Sequence, residues 1–243
     1  MSDRYSEIKQ VQLHEIGPGG MLKEQSLFNY LQSIAGSHSR SLGYGSINIL
    51  KEGLTWVISR YRLQIISLPV LFQNFSISTW RSGESGNFAI REYFITDESG
   101  RPLVKGTSSW SLINFIKGEA VKPSERFPEY PVCPERAIDD SFSSIPSIES
   151  CDYSKEFTVR RADLDANNHV NNSFYAAWML ETGVDMNEKL KPADISVTFK
   201  GEAKYGDIII SQALRDKSEG RLMHRLILKD SGRELTRGIT EWH

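Results

Sequence analysis

The chain has 243 residues, a net charge of −2 and 39% hydrophobic residues, which is ordinary for a globular protein with one large core or two smaller ones. This near-neutral charge argues against a general nucleic-acid binder. No signal peptide, transit peptide or long apolar run is recognisable at the start, so the cytoplasm is the expected location and no membrane span is expected.

The two cysteines, Cys133 and Cys151, cannot build a zinc site alone. A reducing compartment would leave both thiols free, although the pair could form one disulfide. The sequence contains no metal-spaced cluster of histidine and cysteine and no glycine-rich phosphate loop. It therefore predicts a protein without a metal ion or a cofactor.

The first half of the chain predicts one helix followed by strands. Leu27, Leu31 and Ile34 recur at helical spacing, and Gly36 or Gly43 is the expected stop. Apolar runs bounded by turn-forming residues then predict four strands. These strands cover Thr55–Ile66, Phe75–Trp80, Ile90–Thr96 and Leu103–Ile113.

A segment rich in proline, serine and aspartate separates the two halves of the chain. Residues 123–152 hold Pro123, Pro128, Pro131, Pro134 and Pro146 as well as both cysteines. Such a composition predicts an extended linker on the protein surface. The expected domains are therefore residues 1–122, this linker, and residues 153–243.

The second half predicts the same order of elements. Phe174, Tyr175 and Trp178 make the helix from Ser173 to Met186 apolar on most sides, which suits burial. The predicted strands that follow are Ile195–Lys200, Ile208–Leu214, Leu222–Leu228 and Leu235–Trp242.

The two halves are related by an internal duplication. Ser99–Trp110 matches Ser231–Trp242, with Ser, Gly, Arg, Leu, Gly and Trp recurring in register. Leu22–Leu31 matches Val170–Met179 at a larger offset, so the first copy carries extra residues, which we place within Ser37–Gly53. The chain is therefore expected to be an α+β protein in which two helix-plus-antiparallel-sheet repeats form one long curved sheet.

The most polar segment of the chain opens the second helix and reads D-L-D-A-N-N-H-V-N-N from Asp163 to Asn172. Capping of the helix is one interpretation, because asparagine and aspartate favour turns and helix N-caps. Chemistry is the other, because polar groups this dense at the mouth of a buried helix cost stability without partners. In an extended segment, Asp165, Asn167 and His169 would share one face.

Taken in order, these motifs resemble the acyl-acyl carrier protein thioesterases, which are double hotdog enzymes of plants and bacteria. The resemblance covers nearly the whole chain. In the first half it rests on L-F-N-Y-L-Q at 27–32, W-V-I-S-R at 56–60 and T-W at 79–80. In the second half it rests on the polar motif with Tyr175, Trp178 and Glu181. It implies a tandem hotdog fold and hydrolysis of fatty acyl-acyl carrier protein thioesters, which releases free fatty acid and terminates fatty acid synthesis.

The resemblance also implies a catalytic site made of Asp165, Asn167, His169 and Glu202. His169 is the natural proton-transfer group near neutral pH. Asp165 or Glu202 would position water, deprotonate it or attack the thioester directly, and Asn167 would orient the water or the thioester oxygen. Free N–H groups at residues 170–172 would stabilise a developing oxyanion.

Two nucleophiles are disfavoured. Plant members carry a cysteine directly after the glutamate, where this chain has Ala203, so a cysteine mechanism is out of reach. The G-x-S-x-G motif of one large class of serine hydrolases is absent. The chain fits a bacterial-type member better than a plastid one, because it shows no transit peptide.

The first copy is expected to be catalytically degenerate. Opposite the four site residues it has Gly17, Gly19, Met21 and Pro69. This copy would instead supply walls of the substrate pocket and set the acyl chain length. The candidate walls are Leu27, Leu31 and Ile34 together with the segment Ser37–Gly53.

Other functions remain open from the sequence. They are hydrolysis of acyl-coenzyme A, non-catalytic binding of acyl groups, and dehydration, which the hotdog fold also hosts. An acidic carrier protein requires a basic surface patch as its partner, and a homodimer is one assembly open to the chain. The candidate patch residues are Arg160, Arg161, Lys200 and Lys204.

Overall fold

A computed structural model gives the fold, and the structure describes residues 4–186 and 191–243. The chain divides into two compact units, Met1–Ser141 and Phe142–His243. Within the described ranges, no helix is long and apolar enough to cross a membrane.

The first unit contains a long helix and an antiparallel sheet. Its helices are α1 (Glu24–Ser41), α2 (Ser46–Leu50) and α3 (Pro123–Arg126). Its strands are β1 (Tyr5–Gln10), β2 (Leu54–Ile65), β3 (Asn74–Ser85), β4 (Phe88–Asp97), β5 (Pro102–Asn114) and β6 (Glu119–Val121). The strand order is β1-β3-β4-β5-β2, and β6 pairs with β5.

The end of α1 decides between the two predicted stops. The helix runs through Gly36 and ends at Ser41. Gly43 follows with a φ of 83°, the left-handed conformation common just after a helix. Gly43 therefore marks the end of the helix, and the alternative stop at Gly36 is wrong. The short helix α2 lies within the predicted extra segment Ser37–Gly53.

The second unit repeats this arrangement with one long helix. It contains β7 (Tyr153–Thr158), α4 (Asn172–Met186), β8 (Pro192–Phe199), β9 (Ile208–Asp216), β10 (Arg221–Leu228) and β11 (Glu234–Trp242). The strand order β7-β9-β10-β11-β8 is that of the first unit. The predicted pair of α+β repeats, each a helix with an antiparallel sheet, is therefore confirmed.

Both long helices are buried against the sheet of their own unit. Leu27, Leu31 and Ile34 of α1 are at most 1% exposed. In the second unit, a Cβ built on Gly238 would lie 2.1 Å from the sulfur of Met179. A side chain at position 238 would therefore displace Met179, so the glycine lets α4 pack closely on β11.

The predicted linker has little regular structure, but it is not a loose connection. Phe127, Tyr130 and Ile138 are at most 5% exposed within the first unit, as are Ile145 and Ile148 within the second. These apolar side chains tie an irregular segment to the core of each unit. Cys133 and Cys151 are both free.

Candidate active site

The polar motif forms a tight turn, which we call the motif turn (residues 164–170). The Asp165 N–H donates to the His169 carbonyl at 2.7 Å, and the Asn168 N–H donates to the Asp165 carbonyl at 3.1 Å. Leu164 and Val170 pair as an antiparallel bridge. The prediction of one shared face in an extended segment is therefore wrong, because the chain reverses direction here.

Asp165 closes the motif turn from within. Its Oδ1 accepts the backbone N–H of Asn167 at 2.8 Å and that of His169 at 3.2 Å. Its Oδ2 lies 3.5 Å from the amide nitrogen of the exposed Asn167 side chain. Aspartate commonly stabilises turns by accepting N–H groups that follow it in the chain. Asp165 therefore holds the backbone of the turn at the residue that carries the imidazole.

The structure brings together His169 and Glu202 from different parts of the second unit. His169 Nδ1 lies 3.2 Å from Glu202 Oε2, and the two side chains are 30% and 63% exposed. A carboxylate at Nδ1 orients the ring and leaves Nε2 for a substrate or a water molecule. The pair is therefore arranged for proton transfer at a site that solvent can reach.

Hydrogen bonds hold the backbone around Glu202 from three directions. The Val170 N–H donates to the Ala203 carbonyl at 3.0 Å, and the Ala203 N–H donates to the Tyr175 hydroxyl at 2.8 Å. The Arg233 guanidinium donates to the Glu202 carbonyl at 2.8 Å. Glu202 therefore follows β8 on a fixed segment, close to the start of α4.

Tyr175 is a site residue for which the sequence predicts no role in the site. Burial raises the pKa of its hydroxyl above the ordinary value, and the charge of Glu202 acts in the same direction. The hydroxyl is therefore neutral near physiological pH. A tyrosine on the apolar face of a buried helix needs a polar partner for its hydroxyl. This requirement could have identified Tyr175 as a candidate site residue from the sequence.

The start of α4 offers fewer free N–H groups than predicted. The N–H of Val170 is bound to Ala203, and that of Asn171 donates to the Asp163 carbonyl at 2.9 Å. Asn171 in turn caps the helix, since its Oδ1 accepts the Ser173 N–H at 2.9 Å. Of the three N–H groups predicted to be free, only that of Asn172 makes no hydrogen bond within the described ranges.

Asp163, the other carboxylate of the motif, is structural. It is fully buried and accepts the Arg160 N–H at 2.8 Å. Its Oδ1 also accepts from the Arg160 guanidinium at 2.8 Å. Its carbonyl receives the Asn171 N–H. Asp163 thus anchors both ends of the motif turn without facing the site.

The first unit builds the same turn without acid–base groups. The Gly17 N–H donates to the Met21 carbonyl at 2.9 Å, and the Gly20 N–H donates to the Gly17 carbonyl at 3.1 Å. Ile16 and Leu22 form the matching bridge. The predicted equivalence of Gly17, Gly19 and Met21 with the site residues agrees with this backbone pattern.

One predicted equivalence is wrong by a single residue. The Leu22 N–H donates to the Pro69 carbonyl at 2.8 Å, and its counterpart is the bond from Val170 to Ala203. Pro69 therefore stands opposite Ala203, and Leu68 stands opposite Glu202. The first unit lacks the glutamate in either alignment.

The first unit contains a cavity of about 170 Å³ beside α1. The helix contributes Gln32, Ala35, Gly36 and Ser39 to its wall. The predicted wall residues Leu27, Leu31 and Ile34 do not line this cavity, because they occupy the face of α1 that is buried in the core. Of the predicted extra segment, Ser39 and Ser46 do line it.

The described residues include no group of three or more His, Cys, Asp or Glu side chains that could hold a metal ion. The groups present at the motif turn are the imidazole of His169, the carboxylate of Glu202 and nearby amide groups. Together these features describe a candidate acid–base site on one of two helix-and-sheet repeats.

Solved structures share this architecture over the whole chain. An acyl-ACP thioesterase from Bacteroides thetaiotaomicron has a TM-score of 0.88 and 18% identity, covering 99% of this chain and 98% of that one. The 12:0-ACP thioesterase from Umbellularia californica has a TM-score of 0.87 and 22% identity, covering 100% and 98%. These matches confirm the predicted tandem hotdog fold.

Family models identify the chain in two parts. The acyl-ACP thioesterase N-terminal domain matches residues 2–125, and the acyl-ACP thioesterase C-terminal domain matches residues 148–243. The chain belongs to the acyl-ACP thioesterase family, whose members hydrolyse fatty acyl thioesters of acyl carrier protein (ACP). The predicted family and enzyme class are thereby confirmed.

Two plant proteins show how similar the sequence of this chain is to its relatives. Oleoyl-acyl carrier protein thioesterase 2, chloroplastic, from Arabidopsis thaliana is 26% identical, over 98% of this chain and 76% of its own length. The palmitoyl-acyl carrier protein thioesterase, chloroplastic, of the same plant is also 26% identical, over 96% of this chain and 62% of its own.

Proposed function

We propose that this thioesterase hydrolyses its acyl-ACP substrate through His169, with Glu202 orienting the imidazole. The observation that carries the proposal is the 3.2 Å contact between His169 Nδ1 and Glu202 Oε2. The equivalent turn of the first unit has neither group, so the contact is not required by the fold. A carboxylate beside a histidine fixes the ring and stabilises the imidazolium that forms during proton transfer.

The reaction follows from these positions. His169 Nε2 takes a proton from water as the water oxygen attacks the thioester carbonyl carbon. The Asn172 N–H and the Asn167 amide stabilise the oxyanion that develops. The carbon–sulfur bond then breaks, and the imidazolium gives its proton to the departing thiolate of the carrier. The products are the free fatty acid and the carrier thiol.

We expect Asp165 to act by positioning His169. Asp165→Ala removes the acceptor of two backbone N–H groups, so kcat should fall by about tenfold or more, because the imidazole is misplaced. Asp165→Asn keeps one acceptor oxygen and should retain most of the activity. Steady-state kinetics of both variants checks this. An Asp165→Asn enzyme as inactive as Asp165→Ala would show that the charge itself is needed.

We propose that the carrier docks beside the motif turn on Arg161 and Lys204. Two of the four predicted patch residues are engaged, since Arg160 pairs with Asp163 and Lys200 with Glu234. Arg161 lies over the Tyr205 ring at 4.7 Å, and both Arg161 and Lys204 are exposed. Lys204 follows Glu202 closely in the chain, and the Tyr205 contact holds Arg161 against the same segment. Both side chains therefore offer positive charge where an acidic carrier would deliver its thioester.

The experiment that tests this function compares carrier-bound and carrier-free thioesters. Wild-type protein should release free fatty acid from acyl-ACP, with acyl-coenzyme A as the competing donor. The double variant Arg161→Glu, Lys204→Glu should raise KM for acyl-ACP about tenfold or more, because it repels the carrier. KM for the corresponding acyl-pantetheine should not change. An equal effect on both substrates would contradict carrier docking, and no acid release would contradict the function.

We further propose that the first repeat, residues 1–122, supplies the acyl pocket, while residues 153–243 carry the catalytic groups and residues 123–152 connect them. The cavity beside α1 supports this division, because it is lined by residues of the first unit. A location in the cytoplasm and assembly as a homodimer stay predictions. The two free cysteines are compatible with a reducing compartment.

Filling the cavity should shorten the fatty acid that is released. Ala35 is 5% exposed and lines the cavity, so Ala35→Leu removes space that an acyl chain would occupy. Each methylene that loses its burial costs about 0.8 kcal/mol, or about fourfold in selectivity. The product-length profile is the measurement. Ser33→Leu, which does not line this cavity, is the control. An unchanged profile for Ala35→Leu would contradict the assignment.

A further inference from the structure

The cavity of the first unit has a charged wall. Arg81 and Arg91 line it and are 6% and 7% exposed. Trp56, Trp110 and Ile90 supply apolar surface to the same wall. A buried guanidinium is costly unless it meets acceptors or an opposite charge. The partners of the two arginines therefore indicate what the cavity can hold.

Arg91 has neutral partners. Its Nη1 contacts His38 Nδ1 at 3.0 Å and Thr79 Oγ1 at 3.2 Å, and its Nη2 donates to the Tyr130 hydroxyl at 2.5 Å and to Ser39 Oγ at 3.5 Å. Burial and the charge of Arg91 lower the pKa of His38 to about 4, so this imidazole is neutral near physiological pH. Among the described residues, no carboxylate forms an ion pair with Arg91.

The acidic side chains closest to Arg81 and Arg91 along their strands are already engaged. Glu84 pairs with Arg81, and Glu92 pairs with Arg136 at 2.7 Å and accepts the Ala137 N–H at 3.0 Å. The wall therefore carries two guanidinium groups and one matching carboxylate. Its donors also exceed its acceptors. Trp56 Nε1 and Arg81 Nε are buried without an acceptor in the part of the chain that the structure describes.

We propose that this cavity, which the proposed function assigns to the acyl pocket, binds the carboxylate of a short carboxylic acid. Arg91 is the anchor for the carboxylate, and Trp56, Trp110 and Ile90 contact its apolar body. The charge-assisted hydrogen bonds of a guanidinium favour a carboxylate over a neutral hydroxyl group. The cavity volume of about 170 Å³ suits such a ligand, since cavities of about 150 Å³ admit a benzene-sized body.

Isothermal titration calorimetry with hexanoate and hexan-1-ol tests the site without any turnover. Hexanoate should bind the full chain about tenfold or more tightly than hexan-1-ol. Arg91→Met should weaken hexanoate binding about 10- to 100-fold, the range for a hydrogen bond to a charged group, and should leave hexan-1-ol unaffected. Equal binding of acid and alcohol, or no binding of hexanoate at millimolar concentration, would overturn the proposal.

A second variant keeps the test decisive if Arg91→Met does not fold. Gly36 lines the cavity, and a Cβ built on it meets no atom within 4 Å. Gly36→Phe therefore adds a side chain at the cavity wall without a clash at Cβ, and it removes the helix-weakening glycine. It should abolish hexanoate binding, whereas Ser33→Phe on the same helix should not. A folded Gly36→Phe variant that binds hexanoate like wild type would refute the site.

Two sources of the carboxylate are distinguished by thioesters of different acids. If adipoyl thioester is hydrolysed faster than hexanoyl thioester, and Arg91→Met reverses this order, the carboxylate belongs to the acyl chain of the substrate. If hexanoyl thioester is preferred, and free hexanoate inhibits wild type but not Arg91→Met, the ligand is a free acid. Calorimetric binding that persists in an inactive protein would separate a failure of the proposed function from a failure of this site.

Discussion

His169→Ala should lower kcat for acyl-ACP hydrolysis by about 10²-fold to 10⁴-fold, the range for loss of a general acid–base group. The cause is chemical, because the Asp165, Asn168 and Val170 backbone bonds that shape the motif turn do not involve the imidazole. Circular dichroism should therefore show a folded protein with an unchanged melting temperature. Glu202→Gln should lower kcat in the same direction, since it removes the charge beside Nδ1.

The duplication supplies the control for this prediction. Met21 occupies the place of His169 in the first unit, so Met21→Ala truncates the equivalent side chain without touching the acid–base pair. It should keep kcat within about threefold of wild type, as expected for a residue with no role in proton transfer. A folded and fully active His169→Ala protein would exclude the proposed mechanism. A folded but inactive Met21→Ala protein would exclude the division of roles between the repeats.

Asp163→Ala should affect stability rather than kcat and lower the free energy of unfolding by about 2–3 kcal/mol, because the Arg160 N–H and guanidinium lose a charged acceptor. Asp163 is fully buried and accepts both the N–H and the guanidinium of Arg160. Urea unfolding followed by circular dichroism measures the loss. The kcat of the fraction that remains folded should change much less than in His169→Ala.

The conservative variant and the repeat again provide controls. Asp163→Asn keeps an oxygen for the Arg160 N–H and should lose about half as much stability as Asp163→Ala. Glu15 is the equivalent residue of the first unit, where its carboxylate accepts the Gln12 N–H at 2.8 Å but is partly exposed. Glu15→Ala should therefore be the milder change. Equal stability of Asp163→Ala and wild type would show that this buried carboxylate contributes no net stability.

The strands that carry buried apolar runs could be predicted from sequence, and the first strand of each unit could not. Strands such as Ile90–Thr96 carry the apolar residues that the core requires. Their hydrophobic pattern is therefore easy to recognise in the sequence. The first strand of each unit, β1 and β7, lies at a sheet edge with mostly polar or exposed side chains. Ile8 in β1 is 80% exposed, so no apolar alternation marks that strand. The alternative helix stop at Gly36 is wrong because the packing of the helix outweighs the low helix propensity of one glycine.

The candidate site was predictable as a set of residues but not as an arrangement. The resemblance named Asp165, Asn167, His169 and Glu202 together. Which side chain reaches which depends on a turn in which Asn168 adopts a φ of 61°, and on a loop more than thirty residues away in the chain. Neither leaves a periodic pattern in the sequence. The same limit explains why Tyr175 was assigned no role in the site and why the buried arginines of the first unit were not predicted.

The motif turn and its glycine-rich counterpart have one further consequence, which concerns evolvability. Both turns are closed by the same backbone hydrogen bonds, so side chains at 165, 167 and 169 can be exchanged while the fold is kept. Selection for folding and selection for reactivity therefore act on different atoms of one short segment. After a gene duplication, such a segment can lose its reaction in one copy, and the protein retains a complete scaffold on which the freed copy is open to a new ligand.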